Sequence, residues 1–263
     1  MLKKEANQIV GGLSAPGKMP CPSINLPAVA CVTGAKLAQV PGTTCHGCYA
    51  LKGRYRFKTT IKAMDRRLEA LKDSRWVRAM VVLMEGRKHF RWHDSGDIQS
   101  AWHLKRILEV CKQTPDTKHW LPTREAQLLA LMDPDIIPTN LIIRLSATKV
   151  NGAASKSWPW TSTVSTTTKT CLASDQGGKC KDCRSCWNRD IQNILMQNTN
   201  DYIHAENTER FKLQAPSLKH QASKASSHKP QAPSTKVQAS SRKRQARGPR
   251  TLDKVSRTSD RGA

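Results

Sequence analysis

Three cysteines, Cys31, Cys45 and Cys48, meet in a stretch punctuated by Pro41, Gly42 and Gly47. Cys45 and Cys48 form a Cys-x-x-Cys, a spacing with which one tight turn aims two thiolates at a single metal. The third ligand can come from any distance, because loop-closure entropy grows slowly with length. Three thiolates on a four-iron cluster leave one iron open for a small cofactor or a substrate. The same three with Cys21 would close a structural zinc site, and spacing alone does not separate the two. His46 lies between the paired cysteines and is read as an exposed residue or one that orients a ligand.

A second group follows at Cys171-x8-Cys180-x2-Cys183-x2-Cys186, four cysteines in 16 residues. Two successive Cys-x-x-Cys steps resemble the packed spacing of bacterial ferredoxin ligands, and they equally fit a zinc knuckle. Gly177-Gly178 gives the backbone room to fold around such a site. Nine thiols in a reducing compartment point to metal ligands or buried apolar residues before disulfides.

A third set is polar. His93-Asp94-Ser95-Gly96-Asp97, Thr123-Arg124-Glu125, Arg144, Ser146 and Thr148 each follow or end a strand-like run. If those strands are parallel, their C-terminal ends gather these groups on one edge, where α/β enzymes keep their chemistry. Asp94 beside His93 can orient or accept a proton. Asp97 could instead cap the helix that follows. Asp97, Arg124 and Arg144 complete the expected catalytic set, and Ser95, Gly96, Thr123 and Ser146 the expected cofactor-binding set.

The elements that must position these groups alternate. Ile61, Met64, Leu68 and Leu71 fall at helical spacing from Thr59, and a second helix runs from Asp73 or Ser74 to Glu85-Gly86. Strand-like runs begin near 89, 118, 141 and 161. An amphipathic helix over 98–112 places Cys111 on the apolar face, as a core thiol. A short helix passes through Leu128, Leu129 and Leu131, and no helix is evident between the last two strands. Residues 1–30 hold Gly11-Gly12, Pro16, Gly17, Pro20, Pro22 and Pro27, a spacing in which no helix is expected. One more helical turn or two is expected over 190–196. The fold class that follows is α/β, a partial (βα) barrel or an open parallel sheet. Its parts are a loop-rich lead-in over 1–30, a cysteine-flanked domain over 31–213 and a basic tail over 214–263.

Composition sets bounds. The chain has 263 residues, a net charge of +24 and 38% hydrophobic residues. Residues 215–263 hold twelve Lys and Arg against Asp253 and Asp260, a net +10, which leaves +14 to the body. The tail has almost no aliphatic residues and a degenerate Gln-Ala-Ser/Pro repeat, so disorder is expected there. Excess positive charge suits a polyanionic partner, most simply nucleic acid, through both body and tail. Lys52, Arg54, Arg56 and Lys58, interleaved with Tyr49, Tyr55 and Phe57, suit a phosphate- or base-contacting strip, and equally a solvated turn. No apolar run approaches membrane-spanning length, and Met1-Leu2-Lys3-Lys4-Glu5 leads into no apolar signal core. A cytoplasmic location is the expectation.

These stretches resemble the gene product 88 family of phages and prophages. The matching residues are Lys18-Met19-Pro20, Cys31 with Thr33 to Leu37, Cys45 to Gly53, Arg91 to Asp97, Leu121 to Arg124, Arg144 to Ser146, and Gly177 to Trp187. More distantly, Cys45-x-x-Cys48-Tyr49-Ala50 ahead of strand–helix repeats is similar to proteins related to radical S-adenosylmethionine enzymes. That similarity implies a four-iron cluster on Cys31, Cys45 and Cys48, in a partial barrel, with S-adenosylmethionine on the open iron. The spacing departs from the usual Cys-x3-Cys-x2-Cys, being Cys-x13-Cys-x2-Cys here. Two functions stand from the sequence: an iron–sulfur enzyme acting on a nucleic acid or nucleotide, and a zinc- or cluster-stabilised nucleic-acid-binding protein without catalysis.

Overall fold

Leu141-Ile142-Ile143 is an apolar run with no alternation, as a strand buried on both faces of a parallel sheet requires. In the computed structural model, which describes residues 1–198, this run lies in the fourth of six strands. They are β1 (Ser23–Ile24), β2 (His89–Trp92), β3 (Lys118–Thr123), β4 (Leu141–Ser146), β5 (Thr161–Ser165) and β6 (Asn193–Gln197). Every neighbouring pair is parallel, and the spatial order is the chain order. β1 and β6 are the two edges and do not pair with each other, so of the two expected forms the sheet is the open one.

Strands laid down in chain order with right-handed crossovers put their connections on one side of the sheet. Two helices cover that side here: α4 (Trp76–Met84) and α5 (Ala101–Gln113). They bury Trp76, Met80, Leu104, Ile107 and Cys111 in one core with Phe90, Trp92, Leu121 and Ile143. Cys111 is fully buried, as a core thiol should be. Ser100 caps α5, its hydroxyl accepting from His103 N–H at 3.2 Å, so Asp97 is not needed for that duty.

The other face carries Arg91, Trp120 and Ile142 in one row and Pro122 and Arg144 in the next. Residues 171–192, between β5 and β6, lie across it. Trp187 packs between His89 and Trp120, with ring centroids 5.3 Å from each, and its indole N–H donates to Phe90 O at 3.0 Å.

The lead-in departs from expectation. Lys3–Ile9 is a helix, α1, because every breaker lies C-terminal to it and Ala6 and Val10 bury against the core. Gly11 and Gly12, both at positive φ, end it. Two residues between Pro22 and Pro27 also form a strand, β1, since its partner β2 offers an open edge. At the other end, 193–197 is strand β6 and not a helical turn, because β5 presents a free edge along five residues. The remaining helices are α2 (Val32–Leu37), α3 (Lys58–Ala70) and the short α6 (Ala126–Leu129). The segment 49–56 folds as two 3-10 turns, not a strand. The expected disordered tail over 214–263 lies outside the described residues. Among the described residues no helix is long and apolar enough to cross a membrane.

Candidate functional site

β2 ends at Trp92, and the next residue turns the chain sharply. His93 has φ 65°, a left-handed conformation uncommon for a residue with a side chain. Its imidazole is thereby buried on the helix side, 5.3 Å from the His103 ring. Neither ring nitrogen has a partner, and burial, with His103 and Arg91 adding to it, holds His93 neutral well below the usual histidine range.

Asp94 turns the other way. Its carboxylate accepts from Ser14 Oγ at 2.6 Å, Tyr55 OH at 3.0 Å and Asn25 Nδ2 at 3.4 Å, and its carbonyl accepts from Tyr49 OH at 2.5 Å. Arg67 reaches the same knot by donating to Asn25 Oδ1 and to Gly12 O. Gly96, at φ +81°, lies against the backbone after β1. A Cβ there would stand 2.6 Å from Leu26 Cβ and 2.9 Å from Leu26 O. Ser95 Oγ donates to the same Leu26 carbonyl. Ser95 and Gly96 therefore lock the β2 loop to the chain that leads into the cysteines.

Asp97 sits at the centre of the strand ends. It accepts from Ile98 N–H, from Thr123 Oγ at 2.7 Å and from Arg124 N–H at 2.8 Å. Burial pushes its carboxyl up to about 6, against the pull of those donors. The next residue but one after Thr123, Glu125, grips the cysteine loop: Thr33 N–H and Thr33 Oγ donate to its two oxygens at 2.9 and 2.7 Å. Arg124 Nε donates to Thr44 Oγ, whose N–H in turn donates to Thr148 O at the end of β4. The excursion after β1 is thus tied down by the ends of β3 and β4.

Those ties bring Cys31, Cys45 and Cys48 together beside Asp97. Gly34 leaves the space they need, for a Cβ on it would stand 3.5 Å from Cys31 Sγ and 3.6 Å from Cys45 Sγ. Burial pushes the Cys31 thiol up to about 12, and Asp97, Cys48, Cys45 and Glu125 push the same way. Burial also raises Cys45, while Arg124 opposes it. Neutral thiols crowded with carboxylates are the donor set a cation would relieve. His46 turns aside, its Nδ1 3.3 Å from Ala38 O.

The second cysteine group lies on the open face of the sheet. Arg144, fully buried, holds the end of that segment: its guanidinium donates to the carbonyls of Cys186, Ser185, Asn188, Ile191, Gln192 and Thr161. Its N–H groups are directed at backbone and none is free for a substrate. Cys186 is pushed up to about 12 by burial and then by Cys171, and Cys180 is raised by burial and then by Cys171 and Cys183. Cys21 lies here and not with the first group: burial pushes it up to about 11, and Cys180 is the thiol within its reach. Among the described residues, no three His, Cys, Asp or Glu side chains are drawn around one point as ligands of a single metal ion.

Of the residues expected to act together, Asp97, Thr123, Arg124 and the first three cysteines share one site. Asp94, Ser95 and Gly96 form its floor. Ser146 stands one strand further along, its hydroxyl 2.9 Å from Ser162 Oγ. His93 and Arg144 are turned elsewhere. Sequence reasoning did not single out Arg91, Glu125, Thr33 or Asn25. The alternation His89-Phe90-Arg91-Trp92 was the available signal for Arg91, since it sets the arginine on the face opposite Trp92.

No curated protein and no solved structure matches the chain. The similarity to radical S-adenosylmethionine enzymes therefore rests on the residues alone. A family model described as Gene product 88 matches residues 1–165, from α1 through the last residue of β5. The match stops short of the second cysteine group. It includes the cysteine excursion, both polar loops and five of the six strands, and on it the chain belongs to the gene product 88 family.

Proposed function

We propose that the chain is an iron–sulfur enzyme of the radical S-adenosylmethionine kind, acting on a nucleic acid or nucleotide. One observation carries the reading: Cys31, Cys45 and Cys48 stand with Asp97 at the C-terminal edge of a parallel sheet, on the excursion after its first strand. Cys31, Cys45 and Cys48 would hold a four-iron cluster, whose chemistry is to pass one electron to S-adenosylmethionine bound at its open iron. The spacing of the thiols supports a cluster over zinc. A single zinc at ~2.3 Å from each sulfur needs sulfurs about 4 Å apart, and they are not so gathered.

The chain's own groups would do the rest. Glu125 and Arg124 hold the loop, and Gly34 keeps the sulfurs' space open. Asp97, near 6, holds or releases a proton beside the thiols at neutral pH. Thr123 fixes the Asp97 carboxylate, and Ser146 borders the site on β4. The second cysteine group would carry a further metal, and the net charge of +24 would draw a polyanionic substrate. We place this activity in a reducing cytoplasm, that of the host if the chain is phage-encoded.

The charge favours a second reading, a zinc-bearing nucleic-acid-binding protein without catalysis. Anaerobic purification with iron, sulfide and zinc analysis separates the two. Iron with sulfide, and cleavage of S-adenosylmethionine under reducing conditions, are expected. Zinc alone, with steeply salt-dependent nucleic-acid binding that survives Asp97→Asn, would replace the first reading by the second.

A further inference from the structure

Five cysteines, not four, gather around the second group. Cys171, Cys180 and Cys186 lie within electrostatic reach of one another. Cys21 joins them from the other end of the chain. Lys18 O accepts from Cys180 N–H at 3.0 Å, and Cys180 Sγ lies 3.8 Å from Met19 Sδ. Cys21 itself leads into β1, beside Arg91, whose N–H donates to Pro22 O at 3.3 Å. Cys183 is placed differently. It shares reach with Cys180 alone, and its sulfur lies 3.4 Å from Ser185 Oγ.

Arg91 is the second, independent sign of a ligand. Its guanidinium lies 4.7 Å from the centre of the Trp120 ring, and Nη1 meets only the Met19 thioether, at 3.6 Å. Its Nε is buried and has no partner. Among the described residues it has no carboxylate at ion-pair distance. A buried guanidinium without an anion is costly. Beside neutral thiols it remains uncompensated, and beside thiolates it gains the counter-charge it lacks.

We infer that Cys21, Cys171, Cys180 and Cys186 form a tetrathiolate site for a thiophilic metal, with Arg91 as counter-charge and Cys183 outside it. On loading, each thiol gives its proton to solvent and each thiolate donates an electron pair to the metal. The two positive charges of a zinc ion leave such a site at −2, which the guanidinium partly offsets. The inference rests on the metal-binding reading of the second group and is independent of the first group.

The test is metal per chain, by elemental analysis, in the full-length wild type and in Cys21→Ser, Cys183→Ser, Cys180→Ser and Cys31→Ser after the same reconstitution. Cys183→Ser is expected to keep the wild-type content. Cys21→Ser is expected to lose one site's complement, the same loss as Cys180→Ser. Loss of metal in Cys183→Ser overturns the inference, whether or not Cys21→Ser folds. So does a Cys180→Ser chain that holds as much metal as the wild type. Equal metal in wild type and Cys31→Ser would sink the proposed cluster at the first group and leave this site standing.

Discussion

Asp97 accepts the hydroxyl of Thr123 at 2.7 Å, and through that bond the loop after β2 is fastened to the end of β3. The same carboxylate stands among the cysteines of the first group and raises both Cys31 and Cys45. Replacing Asp97 by Asn keeps the shape and removes the charge. The thiolate fraction of Cys31 should then rise, on the order of threefold for half a unit of pKa. Peptide-resolved alkylation of the metal-free chain at pH 8 measures it. An unchanged rate would mean the carboxylate does not act on the thiols.

Gly96 and Gly42 make a paired experiment. Both have positive φ, +81° and +78°, so alanine is strained at either. A Cβ at Gly42 meets nothing within 4 Å, whereas at Gly96 it meets Leu26 Cβ at 2.6 Å and Leu26 O at 2.9 Å. Gly42→Ala should cost about 1 kcal/mol. Gly96→Ala should cost about 3 kcal/mol or more, since backbone and not a flexible tip stands in the way. Urea unfolding of both variants gives the comparison, and equal losses would show that Leu26 moves freely.

The pH dependence of stability has a definite sign. His103 and His119 are buried, and burial lowers them to about 4 and about 3. Unfolded, each titrates near 6.5, so the unfolded chain binds more protons below that value. Their contribution is whole above pH 6.5 and is lost as pH falls toward 4 and 3. Between pH 7 and pH 5 the two together should remove about 4 kcal/mol. Asp97 works the other way, because its folded value near 6 is above its unfolded one. Ionised and buried it destabilises the fold at pH 7, and protonation by pH 5 returns about 1 kcal/mol. Urea midpoints at the two pH values should show the net loss, and His103→Leu should cut it by about half.

Much of this was legible before the structure. Strands β2 to β5 carry their own signals: aromatic or aliphatic runs bounded by Pro, Asn or Gly at crossover spacing. β1 did not, because two residues flanked by prolines have no period to read. β6 misled because Ile191, Ile194 and Leu195 satisfy helical spacing, while the partner that made it a strand lies about 30 residues earlier. The cysteine groups were found from local spacing, which also limited them: Cys21 belongs with Cys180 through β1's pairing beside β2, a contact 159 positions apart in sequence. Polar loops were placed on one edge by the assumption of parallel strands, yet two members fell away. His93 is turned to the helix side by a single left-handed residue, and Arg144 alternates onto the face that residues 171–192 cover. Neither reversal leaves a mark in composition or period.

Arg144 offers the sharpest test of how the second cysteine group is held. Its guanidinium gathers six carbonyls, five of them from residues 185–192, and the residue is fully buried. Hydrogen bonds to a charged donor contribute roughly 1.5–3 kcal/mol each at most, and here they share one desolvated cation. Arg144→Met keeps the stem and removes the donors, leaving those carbonyls without partners. Stability should fall by about 3–5 kcal/mol, as when one side of a buried charged network is removed. The loss should be local before it is global. Residues 180–192 are expected to become the first site of limited proteolysis, while α5 and β4 exchange their amide hydrogens as in the wild type. Cleavage that begins instead in the first cysteine excursion would show that Arg144 supports the sheet as a whole and not the segment it touches.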